Sequence, residues 1–361
     1  MNADSNRFSF LRGRRVLVTG GTGFVGRHLL PRLIQAGTDV SCLTRPGSGA
    51  AGSLPREVHR KPGDLETGEG LPEALEGKDL VIHMAAKLFG LRPLDYLASN
   101  AAMARNLAQA LGRLRAKGRL GGDFRLVLVS SMAATGPWDR EPGAPDDAPS
   151  VPVSAYGWSK LLVEEILGRE LGDAMVTLRP PIIYGSGDRG LLPMFRGARH
   201  RMAFCPGWHR TFPVSAVHGD DMAEAVLCAC RPEGRGIYHV SNGAIHSMEE
   251  FYRTMGEAVG QILGRERRGI LVFPVPLPLL SASAGISAAA ARAWDQILRK
   301  TAGHGIRSFP QWNPDKCLEA RQGGWICSGS RLRDELGFRP RMSLEEGMLE
   351  AAAGYRKDGW L

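Results

Sequence analysis

Arg15-Val16-Leu17-Val18-Thr19-Gly20-Gly21-Thr22-Gly23-Phe24-Val25-Gly26 reads as a strand, a turn and the opening of a helix. Arg15 to Thr19 form a short run rich in β-branched residues. After the glycine cluster, Leu29, Leu30, Leu33 and Ile34 recur at helical spacing. Both GxxGxxG and GxGxxG spacings are present. Glycine allows the turn to be tight and brings backbone N–H groups close to a pyrophosphate, which then rests on the positive end of the helix. The stretch therefore predicts a dinucleotide-binding turn with Gly20, Thr22, Gly23, Phe24, Val25 and Gly26 as its contacts.

Outward from this turn, Val40 to Leu43, Leu80 to His83, Leu126 to Val129 and Met175 to Leu178 are further apolar runs, with helical segments between several of them. Such alternation implies a parallel sheet covered on both faces. Gly47 to Arg56 and Gly136 to Pro152 have the composition of surface loops. Beyond Gly185 the pattern is less regular. Asp220 to Cys230 still reads as a helix and Ile237 to Val240 as a strand, so the sheet receives a late contribution. Ser343 and Glu346 stand at capping-box spacing before a final helix. No internal repeat is visible. The expected architecture is α/β: a Rossmann-type, doubly wound parallel sheet over residues 12–187, with 214–242 returning to it. A smaller substrate-binding lobe is expected from 188–213 and 243–361.

Composition narrows the class. Of 361 residues, 43% are hydrophobic and 23% charged, which is the balance of a globular chain. The formal charge of +9 raises the question of nucleic acid. The arginines are scattered, however, with local clusters at Arg12 to Arg15 and Arg265 to Arg268 and no extended basic tract, so a solvated basic surface is expected and no nucleic-acid partner. Six cysteines include no CxxC pair and no histidine at zinc spacing. No metal is expected, and reduced thiols suit a cytoplasmic protein. The residues around Phe8 to Leu11 lack the apolar core of a signal peptide. Residues 269–291 carry no formal charge, but Pro274, Pro276 and Pro278 and a run of Ala and Ser argue against a membrane span. A packed or pocket-lining helix is expected there, with contact to a membrane surface the lesser expectation.

The second strand ends at Leu43-Thr44-Arg45, where an NAD-selective fold would usually place a carboxylate for the ribose hydroxyls. Arg45 can instead pair with a 2′-phosphate, so NADP ranks ahead of NAD. Tyr156 and Lys160 are four residues apart in Ala155 to Leu167, a segment of helical spacing, and so face the same way. A phenol titrates near 10 and a neighbouring ammonium favours its anion, which makes a tyrosine useful as acid and base. Ser131 follows the fourth apolar run and can hydrogen-bond a substrate oxygen.

With these residues in view, the chain resembles, over nearly its whole length, an extended short-chain dehydrogenase/reductase, the superfamily that holds the NAD-dependent epimerase/dehydratase and 3β-hydroxysteroid dehydrogenase families. Thr19 to Gly26 matches the family's TGxxGxxG, Gly63-Asp64-Leu65 its adenine-contacting segment, and His83-Met84-Ala85-Ala86 its HxAA turn. Asn100 and Asn106 match two asparagines of the next helix. Ser131 precedes Tyr156 by 25 residues, as the family's catalytic serine does. Arg179-Pro180 through Tyr184-Gly185 resembles RPxxxYG. His218 to Asp221 resembles HVDD with Gly219 in place of Val, and Gly337-Phe338 through Gly347 resembles the LGFxP…SLEEG ending. The resemblance implies Ser131, Tyr156 and Lys160 as catalytic residues. For the cofactor it implies, beyond the glycine turn and Arg45, contacts from Asp64, Leu65, Ala85, Ala86, Lys87, Asn100, Ser130, Tyr156, Lys160 and Pro180. His83 is read as structural.

Departures from the family's branches point to the substrate. Sugar-nucleotide 4,6-dehydratases carry an Asp-Glu pair where this chain has Met132-Ala133, neither of which exchanges a proton. Sugar-nucleotide epimerases often carry a diphosphate-binding arginine at the position of Val214 and an asparagine at that of Ile182; Arg210 could compensate. The apolar 269–291 and the Ala-Ala-Lys ending at Lys87, similar to bacterial sterol-dehydrogenase-like members, favour an apolar small molecule. The expectation is an NAD(P)-dependent oxidoreductase acting on a secondary alcohol or ketone of a steroid- or lipid-like substrate. A nucleotide-sugar epimerase and a non-catalytic NAD(P)-binding sensor are the alternatives, and a helix-mediated homodimer accords with the resemblance.

Overall fold

The computed structural model describes residues 7–207, 212–265, 269–302, 304–306 and 309–361. Arg210, Arg267 and Arg268 lie outside the described residues. Val16, Leu17 and Val18 are all fully buried, as expected of a strand covered on both faces. This strand, β1 (Arg15–Thr19), is central. α1 (Phe24–Gln35), β2 (Asp39–Thr44), β3 (His59–Pro62), α2 (Leu71–Leu75), β4 (Leu80–His83), α3 (Pro93–Ala116), β5 (Arg125–Val129), α4 (Ala155–Leu171) and β6 (Met175–Arg179) follow. α5 (Leu192–Arg199) and α6 (Gly219–Ala229) lead to β7 (Gly236–His239), which pairs with β6 at the sheet edge. The spatial order is β3-β2-β1-β4-β5-β6-β7, parallel throughout. It reverses between β1 and β4, the place where such folds hold ligands at the carboxyl ends of their strands. The sequence reading missed β3, whose His-Arg-Lys-Pro offers no apolar run; as an edge strand it needs none.

Leu29, Leu30 and Leu33 of α1 meet Met222 and Val226 of α6 and Leu332 of α10 (Ser330–Leu336) on one sheet face. Leu107, Leu111, Val163 and Leu167 from α3 and α4 cover the other. A third core joins α5, α7 (Met248–Ile262) and α11 (Leu344–Lys357) through Phe195, Phe251, Met348 and Tyr355. The reciprocal Ser343–Glu346 capping box opens α11 as the spacing predicts.

The HVDD-like segment ties these parts together. Asp221 accepts hydrogen bonds from the backbone of Arg341 (2.9 Å) and Met342 (3.0 Å), fixing the approach to α11. His218 Nε2 lies 3.0 Å from Glu350 on α11. A Cβ at Gly219 would stand 2.7 Å from Nε2 of His28, so the His28 ring takes the space a valine would need.

The uncharged stretch 269–291 departs from its expectation. Leu271–Val275 is a strand, parallel to Met202–Pro206. Pro276 caps α8 (Leu277–Thr301), which carries Pro278 in its first turn, where a missing N–H costs little. α8 packs along one narrow stripe, burying Leu280, Ala284, Ala288 and Asp295, while Leu279, Ile286, Trp294 and Ile297 face solvent. Apolar and small residues surround this helix, so its composition alone could not say which side would be covered. Among the described residues no helix is long and apolar enough to cross a membrane.

Candidate active site

Gly20 has φ +77°, and a Cβ there would stand 2.8 Å from the backbone nitrogen of Ala85. The turn after β1 is thus pressed against the segment leaving β4. A Cβ at Gly26 would fall 2.2 Å from the carbonyl oxygen of Gly21, so only glycine lets α1 seat so closely on the turn. Gly23 is the N-cap of α1 and brings no side chain to its first amides. These N–H groups, at the positive end of the helix dipole, are left for an anion. The cradle fits a dinucleotide's pyrophosphate, while the Phe24 ring packs edge-on to His28 and Val25 packs against the first core. Arg45 is exposed at the end of β2 with no carboxylate beside it in sequence.

The adenine-side segment is internally braced. Asp64 Oδ1 accepts the backbone N–H of Glu66 at 2.7 Å, and Asn106 donates to the carbonyls of Leu65 (2.9 Å) and Glu66 (2.8 Å). Leu65 itself is buried. Asn100 accepts from the backbone N–H of Lys87 (2.8 Å) and donates to its carbonyl (3.0 Å) and to Ser159 on α4 (3.1 Å). It therefore fastens the Ala85-Ala86-Lys87 segment to α4, a positioning role. His83 is fully enclosed and meets Thr19 Oγ1 at 2.7 Å. Burial, with the Lys160 charge adding, pushes its pKa down to about 3, so it stays neutral and structural.

α4 begins with Ser154 as N-cap, its hydroxyl accepting from Gly157 N. Tyr156 is half-buried and Lys160 buried, with its Nζ 6.0 Å from the Tyr156 ring centroid and 3.2 Å from the carbonyl of Val129 at the end of β5. Ser131 follows two residues on, where its Oγ accepts from Ala133 N (3.1 Å). A Cβ at Gly157 would come 2.3 Å from Ala133 O. That close seating brings the Ser131 turn to the Tyr156 end of α4.

Ser130 and Pro180 each have partners within the protein. The Ser130 hydroxyl donates to Glu164, which is paired with the fully buried Arg179; Arg179 also reaches Thr135 (3.0 Å) and Ser150 (3.0 Å). The Pro180 carbonyl accepts from Met132 N at 2.8 Å. Val214 is fully buried in the third core, and Ile182 packs against that core.

The chain beyond α8 adds residues that sequence reasoning missed. α9 (Pro314–Ala320) sets Asp315 against the start of α4, accepting from Ala155 N (2.7 Å) and Tyr156 N (3.2 Å) and from the Tyr96 hydroxyl. Glu319 accepts from Ser154 Oγ at 2.6 Å. Lys316, held by Glu319 at 2.8 Å, places its ammonium 4.2 Å from the Tyr156 ring centroid. Burial opposes that charge, but Glu319, Tyr156 and Asp315 outweigh it and hold the lysine's pKa above its usual value. Asn313-Pro314 signals a helix start, yet nothing local says where that helix docks. The assembled group sets the Tyr156 ring near the ammoniums of Lys160 and Lys316, with the Ser131 turn seated on the same end of α4. Among the described residues no cluster of three or more potential metal ligands occurs.

The NAD dependent epimerase/dehydratase family model matches residues 16–241. A ceramide reductase of Caulobacter vibrioides is 28% identical over 347 residues, 96% of each chain. A UDP-glucose 4-epimerase of Azospirillum brasilense is 34% identical over 166 residues, 44% of this chain and 45% of its own. Among solved structures, that of gox2253 superposes with a TM-score of 0.72 at 22% identity, covering 96% of this chain and 99% of its own.

Proposed function

The chain belongs to the NAD dependent epimerase/dehydratase family, and from that membership we propose that it is an NAD(P)-dependent oxidoreductase interconverting a ketone and a secondary alcohol on an apolar, lipid-like molecule. The observation that carries the reading is the Tyr156–Lys160 pair on α4, with Lys160 bonded to the carbonyl at the carboxyl end of β5. When bound, the nicotinamide supplies or accepts hydride. In reduction Tyr156 gives its proton to the substrate oxygen, Ser131 hydrogen-bonds that oxygen as charge develops, and Lys160 holds the nicotinamide ribose. In oxidation Tyr156 takes the proton back. Glycine residues 20, 23 and 26 hold the pyrophosphate through backbone N–H groups.

Three features support an apolar substrate. Met132 and Ala133 bring no acid or base for eliminating water. Val214 is sealed in a core and presents no cation to a diphosphate. The full-length similarity to a ceramide reductase points the same way. Arg45, with no acid at the end of β2, supports NADP over NAD.

A nucleotide-sugar epimerase is the second reading, favoured by the 34% identity to a UDP-glucose 4-epimerase over less than half of the chain. The deciding experiment follows reduced-nicotinamide absorbance with NADP or NAD and a panel of apolar ketones and alcohols, ceramide-like and sterol-like, and of nucleotide sugars. Net redox turnover is expected with an apolar partner. Tyr156→Phe should retain cofactor binding and lose turnover by about two to four orders of magnitude. Interconversion of a nucleotide sugar without net absorbance change would establish the epimerase instead.

A further inference from the structure

Of thirteen large hydrophobic side chains exposed among the described residues, eight lie in two joined elements: Met202, Phe204, Leu271 and Phe273 on the small strand pair, and Leu279, Ile286, Trp294 and Ile297 on α8. The parallel register sets Met202 beside Leu271 and Phe204 beside Phe273. Alternate residues of a strand share a face, so these four form one apolar surface, with the two phenylalanine rings 6.0 Å apart. Pro276 carries the chain from this strand directly into α8. There Leu279, Ile286 and Ile297 fall on one line of the helix, with the small Ala290 and Ala293 between them and Trp294 at the flank.

The segments that carry this surface are basic. Residues 196–206 contain Arg196, Arg199 and Arg201 and no acid, and on α8 Lys300 stands beside the Leu279–Ile286–Ile297 line, while Arg292 and Arg299 lie on the far side of the helix, where Arg299 is bound to the buried Asp295. At the edge of the strand pair the Arg201 guanidinium donates to the carbonyl of Gly269, and that of Arg265 to the carbonyl of Arg199. Neutral oxygens receive these bonds, so the charge is not cancelled.

We propose that this face seats the protein peripherally on an anionic lipid bilayer, the projecting Phe, Trp, Ile and Leu side chains entering the interface and the arginines meeting lipid phosphates. A second copy is the poorer occupant, because a two-fold contact would set the same arginines against one another. The opposite side of α8 packs through Leu280 and Ala284 on Cys317 of α9, next to Lys316 at the Tyr156 site. A seated molecule would thus hold its reaction site close to the pool of apolar molecules in the bilayer. The docking itself does not depend on the proposed reaction.

The test is co-sedimentation of the purified full chain with phosphatidylcholine vesicles with and without phosphatidylglycerol, alongside tryptophan quenching by brominated acyl chains. Binding is expected to anionic vesicles, to weaken as salt rises, and to be accompanied by quenching that Trp294→Phe reduces. Phe204→Ser with Phe273→Ser, and separately Ile286→Ser with Ile297→Ser, should each weaken vesicle binding by about tenfold or more while melting temperature and cofactor affinity stay unchanged. Absence of binding to either vesicle, or binding that both double variants retain, overturns the proposal. So does a concentration-dependent dimer that the same variants abolish, which would make a second copy the occupant.

Discussion

Gly219 is the residue at which this chain departs from the HVDD pattern, and the reason lies on another helix. The His28 ring fills the space a larger side chain would need and hydrogen-bonds Asp220 at 3.0 Å. That contact holds the Asp220 carboxyl down at about 2. Gly219→Val, although it restores the family's usual residue, should destabilise the fold by about 1–3 kcal/mol through overpacking. In the His28→Ala background the same substitution should cost less, a coupling that a double-mutant cycle under urea denaturation measures. His83 makes a second residue-scale prediction. Unfolded, it binds a proton near pH 6.5; folded, burial prevents that until about pH 3. The unfolded state therefore holds more protons between these values, and stability falls as pH drops through the window, by up to about 1.4 kcal/mol per pH unit from this group. His83→Gln should lack that component in urea titrations run across the window.

At the scale of elements, the start of α4 matters most. Its tyrosine and lysine are legible in sequence, because four-residue spacing is a local property. Its carboxylate partner is Asp315, about 160 residues away in the chain, and no local pattern announces it. Asp315→Ala leaves two first-turn amides and the buried Tyr96 hydroxyl without their acceptor. The expected cost is about 2–3 kcal/mol, with reduced turnover because Tyr156 is no longer held. Combining it with Tyr96→Phe should cost less than the sum of the two, as denaturant midpoints would show. β3 was missed for a related reason: an edge strand of four polar or proline residues takes its conformation from its neighbour β2 and not from any hydrophobic period. α8 was legible as a helix but not as a half-covered one.

For the whole molecule, binding at the glycine turn should stabilise the sheet and the C-terminal helices together, since α9 caps α4 and Asp221 clamps the approach to α11. A dinucleotide at a hundredfold its Kd adds about 2.7 kcal/mol to stability, seen as one cooperative rise of a few degrees in Tm. The rise should be larger with NADP than with NAD, and Arg45→Ala should remove the difference. The doubly wound sheet, the glycine turn after β1 and the Tyr156–Lys160 pair were determined by the sequence alone, because each rests on short-range periodicity and on glycine geometry within a single strand-turn-helix. Only the tertiary structure decided that Asp315, Lys316 and Glu319 meet the start of α4, that Asn100 ties Lys87 to α4, that Val214 is sealed in a core, and that one face of α8 stays open. Those outcomes depend on which surfaces meet across more than a hundred residues of chain, and packing settles that where local pattern carries no record of it.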